Sequence, residues 1–211
     1  MSEADLIRIA IALAPREPLF SAVIHASQEI TQRYDNANVI DAVTYPPHVS
    51  LHICYIPRRV LEVLLESVSH LATGQSHALY LRGLRVERGS KGYVSVRVSR
   101  DTELQEMHQL AISAAASVRD GISEPLPRSF DSYSELDKAN YRKYGNAYVG
   151  AKFDPHISIA KVEPEDQGDA YAIAKHILDG VTEAPVEALQ VCDIGPNNEK
   201  WEVLTSAPLP S

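Results

Sequence analysis

Apolar and polar residues alternate over positions 6–13, with Ile7, Ile9, Ile11 and Leu13 on one face and Arg8, Ala10 and Ala12 on the other. This is the period-two signature of a strand, and its second face is unusually small-sided. Beyond Pro15 and Pro18 the spacing becomes helical: Leu19, Val23, Ile24, Ala26 and Ile30 predict a helix over 19–33, closed by the polar run at 35–38. Alternation returns at 48–56, placing Val49, Leu51 and Ile53 on a core face. Pro57 then opens a helix whose stripe of Val60, Leu61, Leu64, Leu65, Val68 and Leu71 stops at Gly74. Strands at 78–87 and 92–99, joined by GSKG at 89–92, predict a hairpin followed by a helix over 101–119. The segment 121–150 loses the apolar period and collects Gly, Pro, Ser and tyrosines, which predicts a long surface excursion, either a functional lid or a variable insertion. A strand at 155–162, a helix at 165–179 and strands at 186–194 and 200–205 complete an α+β order.

A pentapeptide occurs twice along this order: Pro47, His48, Val49, Ser50, Leu51 and Pro155, His156, Ile157, Ser158, Ile159. A third H-x-S at His25 and Ser27 falls inside a predicted helix and lacks the context. The other two share a preceding proline, alternating apolar residues and a helix-opening proline afterwards, Pro57 and Pro164. The echo therefore spans a strand and helix unit and points to duplicated lobes.

Residues i and i+2 of a strand project from one face about 6 to 7 Å apart. Val49, Leu51, Ile157 and Ile159 then enter the core, and His48, Ser50, His156 and Ser158 face the opposite way. Two lobes meeting across those faces bring together two imidazoles and two hydroxyls. That set suits in-line attack at a phosphodiester. A neutral imidazole removes the proton of the attacking oxygen and a protonated one supplies the leaving oxygen, both forms being accessible at an ordinary pKa of about 6.5. The serines hydrogen-bond the non-bridging oxygens. His52 shares the face of His48 by parity, but its counterpart is Ala160, so it reads as supporting or structural. On a strand His48 and His52 stand roughly 13 Å apart, too far for one ion, and no run of Asp, Glu or Cys lies nearby. Neither a metal nor a cofactor is expected.

Composition narrows the partners. Twenty Lys plus Arg against twenty-eight Asp plus Glu leave a charge of −8, so the chain as a whole does not attract a polyanion and duplex DNA coating is disfavoured. A local patch can still hold a small phosphate or the end of an oligonucleotide. The two cysteines, Cys54 and Cys192, form no CxxC and read as reduced, semi-buried thiols. The first residues, MSEADLIRIAIALAP, are acidic, and their apolar run is short and broken by Arg8, which argues against a secretory signal or a membrane span. At 211 residues, 45% hydrophobic and 23% charged, the chain reads as a soluble, cytoplasmic monomer.

The two H-x-S-x tetrapeptides, His48 to Leu51 and His156 to Ile159, resemble those of the 2H phosphoesterase superfamily, which includes the bacterial 2′-5′ RNA ligase group and eukaryotic cyclic nucleotide phosphodiesterases. The opening strand LIRIAIALAP is also similar, and an insertion at 121–150 accounts for the long spacing between motifs. The resemblance implies one bilobal domain over 1–211, of two pseudo-symmetric α+β lobes with antiparallel sheets and a central cleft. It implies His48 and His156 as acid and base, in an order it does not set, and Ser50 and Ser158 as phosphate holders. The implied activity is metal-independent hydrolysis of a cyclic phosphate on a nucleoside, a sugar or an RNA terminus. The alternatives are hydrolysis or ligation of 2′-5′-linked RNA, hydrolysis of a cyclic dinucleotide, or nucleotide binding without turnover.

Around this centre, Lys161 lies where many relatives carry a basic residue, although parity sets it with Ile157 and Ile159 unless the strand twists or ends. Tyr93 and Arg97 share a face of the 92–99 strand, where one can stack on a base and the other neutralise a phosphate, or both can be ordinary rim residues. Tyr133, Tyr141, Tyr144 and Tyr148, with Arg142 and Lys143, form either an aromatic and basic flap over the cleft or a set of solvated loop side chains. Trp201 in the last strand reads as core or edge packing.

Overall fold

The computed structural model describes residues 5–34, 40–119, 125–127, 130–198 and 200–211. The polar run at 35–38 and parts of the 121–150 segment lie outside the described residues. In chain order the elements are β1 (Leu6–Pro15), α1 (Leu19–Thr31), β2 (Val49–Pro57), α2 (Leu61–Thr73), β3 (Tyr80–Arg82), β4 (Arg85–Arg88) and β5 (Tyr93–Arg97). They continue with α3 (Thr102–Ser117), α4 (Glu135–Tyr144), β6 (His156–Lys161), α5 (Gln167–Ile177), β7 (Glu183–Asp193) and β8 (Glu202–Pro208).

The strands make two antiparallel sheets. One has five strands, ordered β2-β1-β7-β3 with β8 also on β7, and the other has three, ordered β4-β5-β6. Helices α2 and α3 cover the first sheet, while α5 and α1 cover the second, so α1 crosses to the sheet that its own strand does not belong to. Ile7, Ile9, Ile11 and Leu13 of β1 enter a buried cluster that runs through both sheets and also takes in Val49, Leu51, Ile157 and Ile159. Each such side chain contributes about 1.5–3 kcal/mol on burial. The small face of β1 has its own role: Ala10 and Ala12 floor a second cluster with Cys192, Ile194 and Trp201. Neither cysteine is in a disulfide, and both are fully buried rather than semi-buried.

Three elements differ from the sequence expectation. The strand expected at 78–87 is broken at Gly83, so that β3 pairs with β7 in one sheet and only β4 forms the hairpin with β5 in the other. Gly83 has φ +61, and a Cβ there would sit 2.0 Å from Ser99 Oγ, so the crossing between sheets depends on the missing side chain. The 121–150 excursion contains a helix, α4, whose start is capped where Ser134 Oγ accepts the Asp137 N–H at 3.2 Å. Its tyrosines are mostly engaged within the protein. Tyr141 is buried, donates its hydroxyl to the Pro125 carbonyl at 2.8 Å and packs edge-on against Phe130 and Tyr133.

The third difference is a pair of β-bulges. Ile11 faces His52 and Ala12 faces Ser50, which leaves Leu51 as an extra residue in β2. Val94 faces Ala160 and Ser95 faces Ser158, which leaves Ile159 extra in β6. An extra residue inverts the alternation beyond it. Cys54 and Ile56, not Ile53, therefore join the main core, and Ile53 packs on the small cluster. His52 turns inward and is 1% exposed, off the face that His48 occupies. In β6, Ala160 and Val162 enter the core, so Lys161 joins the face of Ser158, with its ammonium 5.5 Å from the Tyr93 ring centroid.

Candidate active site

The two motif strands pack against each other across the boundary between the sheets. His48 immediately precedes β2 and His156 opens β6. Each ring is held in the same way: His48 Nδ1 lies 2.9 Å from the Pro46 carbonyl, and His156 Nδ1 lies 2.8 Å from the Asp154 carbonyl, two residues back in both cases. A carbonyl only accepts, so Nδ1 carries the proton and Nε2 presents its lone pair. The bulges are matched as well, each falling on the residue after the motif serine. The duplication inferred from the pentapeptide thus extends to backbone register and tautomer.

Two cavities flank His156 and share His156, Arg97 and Asp154 as a common wall. The larger, about 910 Å³, is also lined by Ser50, Tyr148 and Phe153. The smaller, about 530 Å³, is lined by Ser158, Ser95, Tyr93 and Tyr45. Tyr93, Arg97 and Tyr148 thus all reach the cleft. Arg97 is already engaged, with Nε 3.0 Å from Glu87 Oε2 and an ion pair to Asp154, the residue whose carbonyl orients His156. His48 lines neither cavity wall. Its half-buried ring stacks on Trp201, with centroids 3.6 Å apart and planes 20° apart, and meets the edge of Tyr45 at 5.5 Å.

Burial holds His48 neutral, pushing its pKa down to about 4. The Pro46 carbonyl opposes the shift and the charge of His156 reinforces it, so the two imidazoles interact electrostatically. His156 is also lowered, by burial first and by Arg97 second. His52 donates Nε2–H to the Tyr144 carbonyl at 3.1 Å and leaves Nδ1 buried without a partner. Among the described residues no three His, Cys, Asp or Glu side chains gather at a point that can hold a metal ion, and no helix is long and apolar enough to cross a membrane.

No protein-family model and no curated protein matches the sequence. Solved structures do match. TT0787 of Thermus thermophilus superimposes with a TM-score of 0.58 at 14% identity, covering 96% of this chain and 98% of that one. E. coli LigT in apo form superimposes with a TM-score of 0.54 at 11% identity, over 98% and 99% of the two chains. The chain therefore has the LigT-like fold. Sequence reasoning singled out Ser50, Ser158, His156, Tyr93, Arg97 and Tyr148, which line the two cavities, and His48, which lines neither. It passed over Ser95, opposite Ser158, although alternation had already put that residue on the cleft face with Tyr93 and Arg97. Tyr45 and Trp201 carry no motif, and their contact with His48 is a tertiary one.

Proposed function

We propose that this chain is a metal-independent phosphodiesterase that opens a 2′,3′-cyclic or related cyclic phosphate by paired imidazole acid/base catalysis. The observation that carries this reading is the matched hydrogen bonding of His48 and His156, each with Nδ1 on the carbonyl two residues back and Nε2 left for chemistry. Phosphate capture alone needs cations or a helix N-terminus, not two rings prepared for proton transfer. This weighs against binding without turnover.

In the proposed reaction, neutral His48 takes a proton from water through Nε2 as the water oxygen bonds to phosphorus. The bond from phosphorus to one ribose oxygen breaks, and protonated His156 gives its Nε2 proton to that oxygen. The products are a phosphate monoester and a free hydroxyl, and exchange with solvent resets both rings. His48 is assigned as the base because it is the ring held further toward the neutral form. Ser50 and Ser158, half-buried and facing the two cavities, donate to the non-bridging oxygens. LigT has been crystallised with 3′-AMP and with phosphate, ligands of the kind this cleft is proposed to hold.

A second reading keeps the residues and changes the substrate to a 2′-5′ linkage or a cyclic dinucleotide. The presence of a cavity on each side of His156, room for a group on either side of the phosphorus, favours testing it. The test is turnover of a panel of cyclic phosphates, 2′-5′ oligonucleotides and cyclic dinucleotides, with and without EDTA, followed by mass spectrometry. Turnover that survives EDTA and is lost in both His48→Ala and His156→Ala is expected. Full activity in either variant would refute the two-histidine mechanism. We further propose that the protein acts as a cytoplasmic monomer, which gel filtration and fractionation test.

A further inference from the structure

We propose that Trp201 is a positioning residue that locks the imidazole plane of His48 and makes two otherwise matched histidines chemically different. The inference rests on the reading of His48 as a base. The histidines share motif, bulge and Nδ1 partner, and none of these separates them. The stack does. A hydrogen bond from Nδ1 fixes where one edge of a ring points and leaves the ring free to rock about that bond. A flat indole at 3.6 Å and 20° removes the rocking, and Tyr45, edge-on to both rings at 5.5 and 5.4 Å, abuts the side of the stack.

The seat for the indole comes from the small face of β1. Ala10 and Ala12 are wholly buried beneath Trp201, with Cys192 and Ile194 beside them. Registering the two bulged ladders on each other aligns Ala12, opposite Ser50, with Ser95, opposite Ser158. The next cleft-facing position toward the histidine is Ala14 on β1 and Arg97 on β5, the latter directly opposite His156. One lobe therefore carries a hydroxyl and a guanidinium where the other carries alanines and admits an aromatic ring. The indole N–H is buried without an acceptor, so the stack and the floor, not a hydrogen bond, hold the residue. Among the described residues the titratable groups around His48 are Tyr45 at its edge, His156 across the cleft and Cys192 under the indole, with Tyr93 and Arg8 acting on Tyr45. The Cys192 thiol is pushed up to about 12 by burial and stays neutral. Trp201 supplies apolar cover to this ring and leaves His156 without it.

The experiment compares wild type, Trp201→Leu and Trp201→Phe in the full chain, with imidazole NMR titration and steady-state kinetics. In wild type, His48 stays neutral down to pH 5. In Trp201→Leu its midpoint rises by a pH unit or more toward the ordinary histidine value, while that of His156 does not move. The acid limb of the rate profile follows, kcat falls about tenfold with KM nearly unchanged, and Trp201→Phe restores most of both. An unmoved His48 midpoint in folded Trp201→Leu, or in Trp201→Met should the leucine variant not fold, overturns the proposal. So does a loss confined to KM. NMR reads this without turnover, so an active His48→Ala would end the two-histidine mechanism and leave the role of Trp201 separately measured.

Discussion

His52 makes the protein acid-labile in a calculable way. Its Nε2–H is committed to the Tyr144 carbonyl on α4, and its buried Nδ1 has no acceptor, so a second proton has nowhere favourable to go. Burial is the main cause of its pKa falling to about 3, with the charges of Arg119 and His108 adding to it. The unfolded chain protonates this ring near pH 6.5, and the native one does so only at about pH 3. Between those values the unfolded state binds more protons, so stability rises with pH and is lost on acidification. The slope approaches about 1.4 kcal/mol per pH unit well below pH 6.5, which makes roughly 2 kcal/mol from pH 6.5 to 4.5, a sizeable part of an ordinary domain's stability. His52→Gln keeps a donor for Tyr144 and removes the titration. Urea unfolding at half-unit steps from pH 7.5 to 4.5 is expected to give curves that agree near pH 7.5 and a slope shallower in the variant by about 1.4 kcal/mol per unit toward pH 5 and below, with carboxylate titration common to both. Parallel stability curves would show that His52 is not the group responsible.

Four further outcomes follow from the site and the fold. With His48 lowered to about 4 and His156 below its ordinary value, kcat/KM is expected to be bell-shaped with an optimum on the acid side of pH 6.5, and a plateau reaching pH 9 would contradict the roles assigned. Ser50→Ala and Ser158→Ala each lower kcat about 10²- to 10³-fold without a change in thermal midpoint, and a loss confined to KM would remove them from transition-state stabilisation. Tyr148→Ala, at an exposed ring on the larger cavity, raises KM for nucleotide substrates by the loss of about 1–3 kcal/mol of stacking, and an unchanged KM places the base elsewhere. Gly92 has φ +82 and an added Cβ would lie 1.8 Å from the Val162 carbonyl, so Gly92→Ala should destabilise by more than the roughly 1–2 kcal/mol of the backbone conformation alone. Calorimetry beside Gly168→Ala, where nothing lies within 4 Å of the added Cβ, checks that contrast.

What alternation could reveal, it did. β1, β2 and β6 lie where period-two patterning put them, and of the residues in the pentapeptide echo Ser50, Ser158 and His156 line the cavities while His48 stacks on Trp201. The parity argument failed at Leu51 and Ile159, because a bulge is a property of the partner strand's register and leaves no mark on the bulged strand's own composition. That single cause misplaced Ile53 and His52, and it answers the question of Lys161. The break at Gly83 was hidden because apolar residues on both sides read as one strand, although they belong to different sheets. α4 escaped notice because a surface helix carrying only one buried side chain, Tyr141, has no apolar stripe to find; its Ser134 cap was the available signal. Trp201 was rightly read as packing, but the ring it packs on comes from a distant part of the chain.

The position of β1 has a consequence for synthesis. This strand leaves the ribosome before both of its neighbours, β2 and β7, and α1 rests on a sheet that β6 completes. A nascent polypeptide halted before residue 183 carries an unpaired β1 edge, a template for association with other chains. It also lacks the tryptophan that stacks on His48, so the surroundings of that ring are complete only after β7 and Trp201 have been made, and prematurely terminated products meet quality control before the ring is seated.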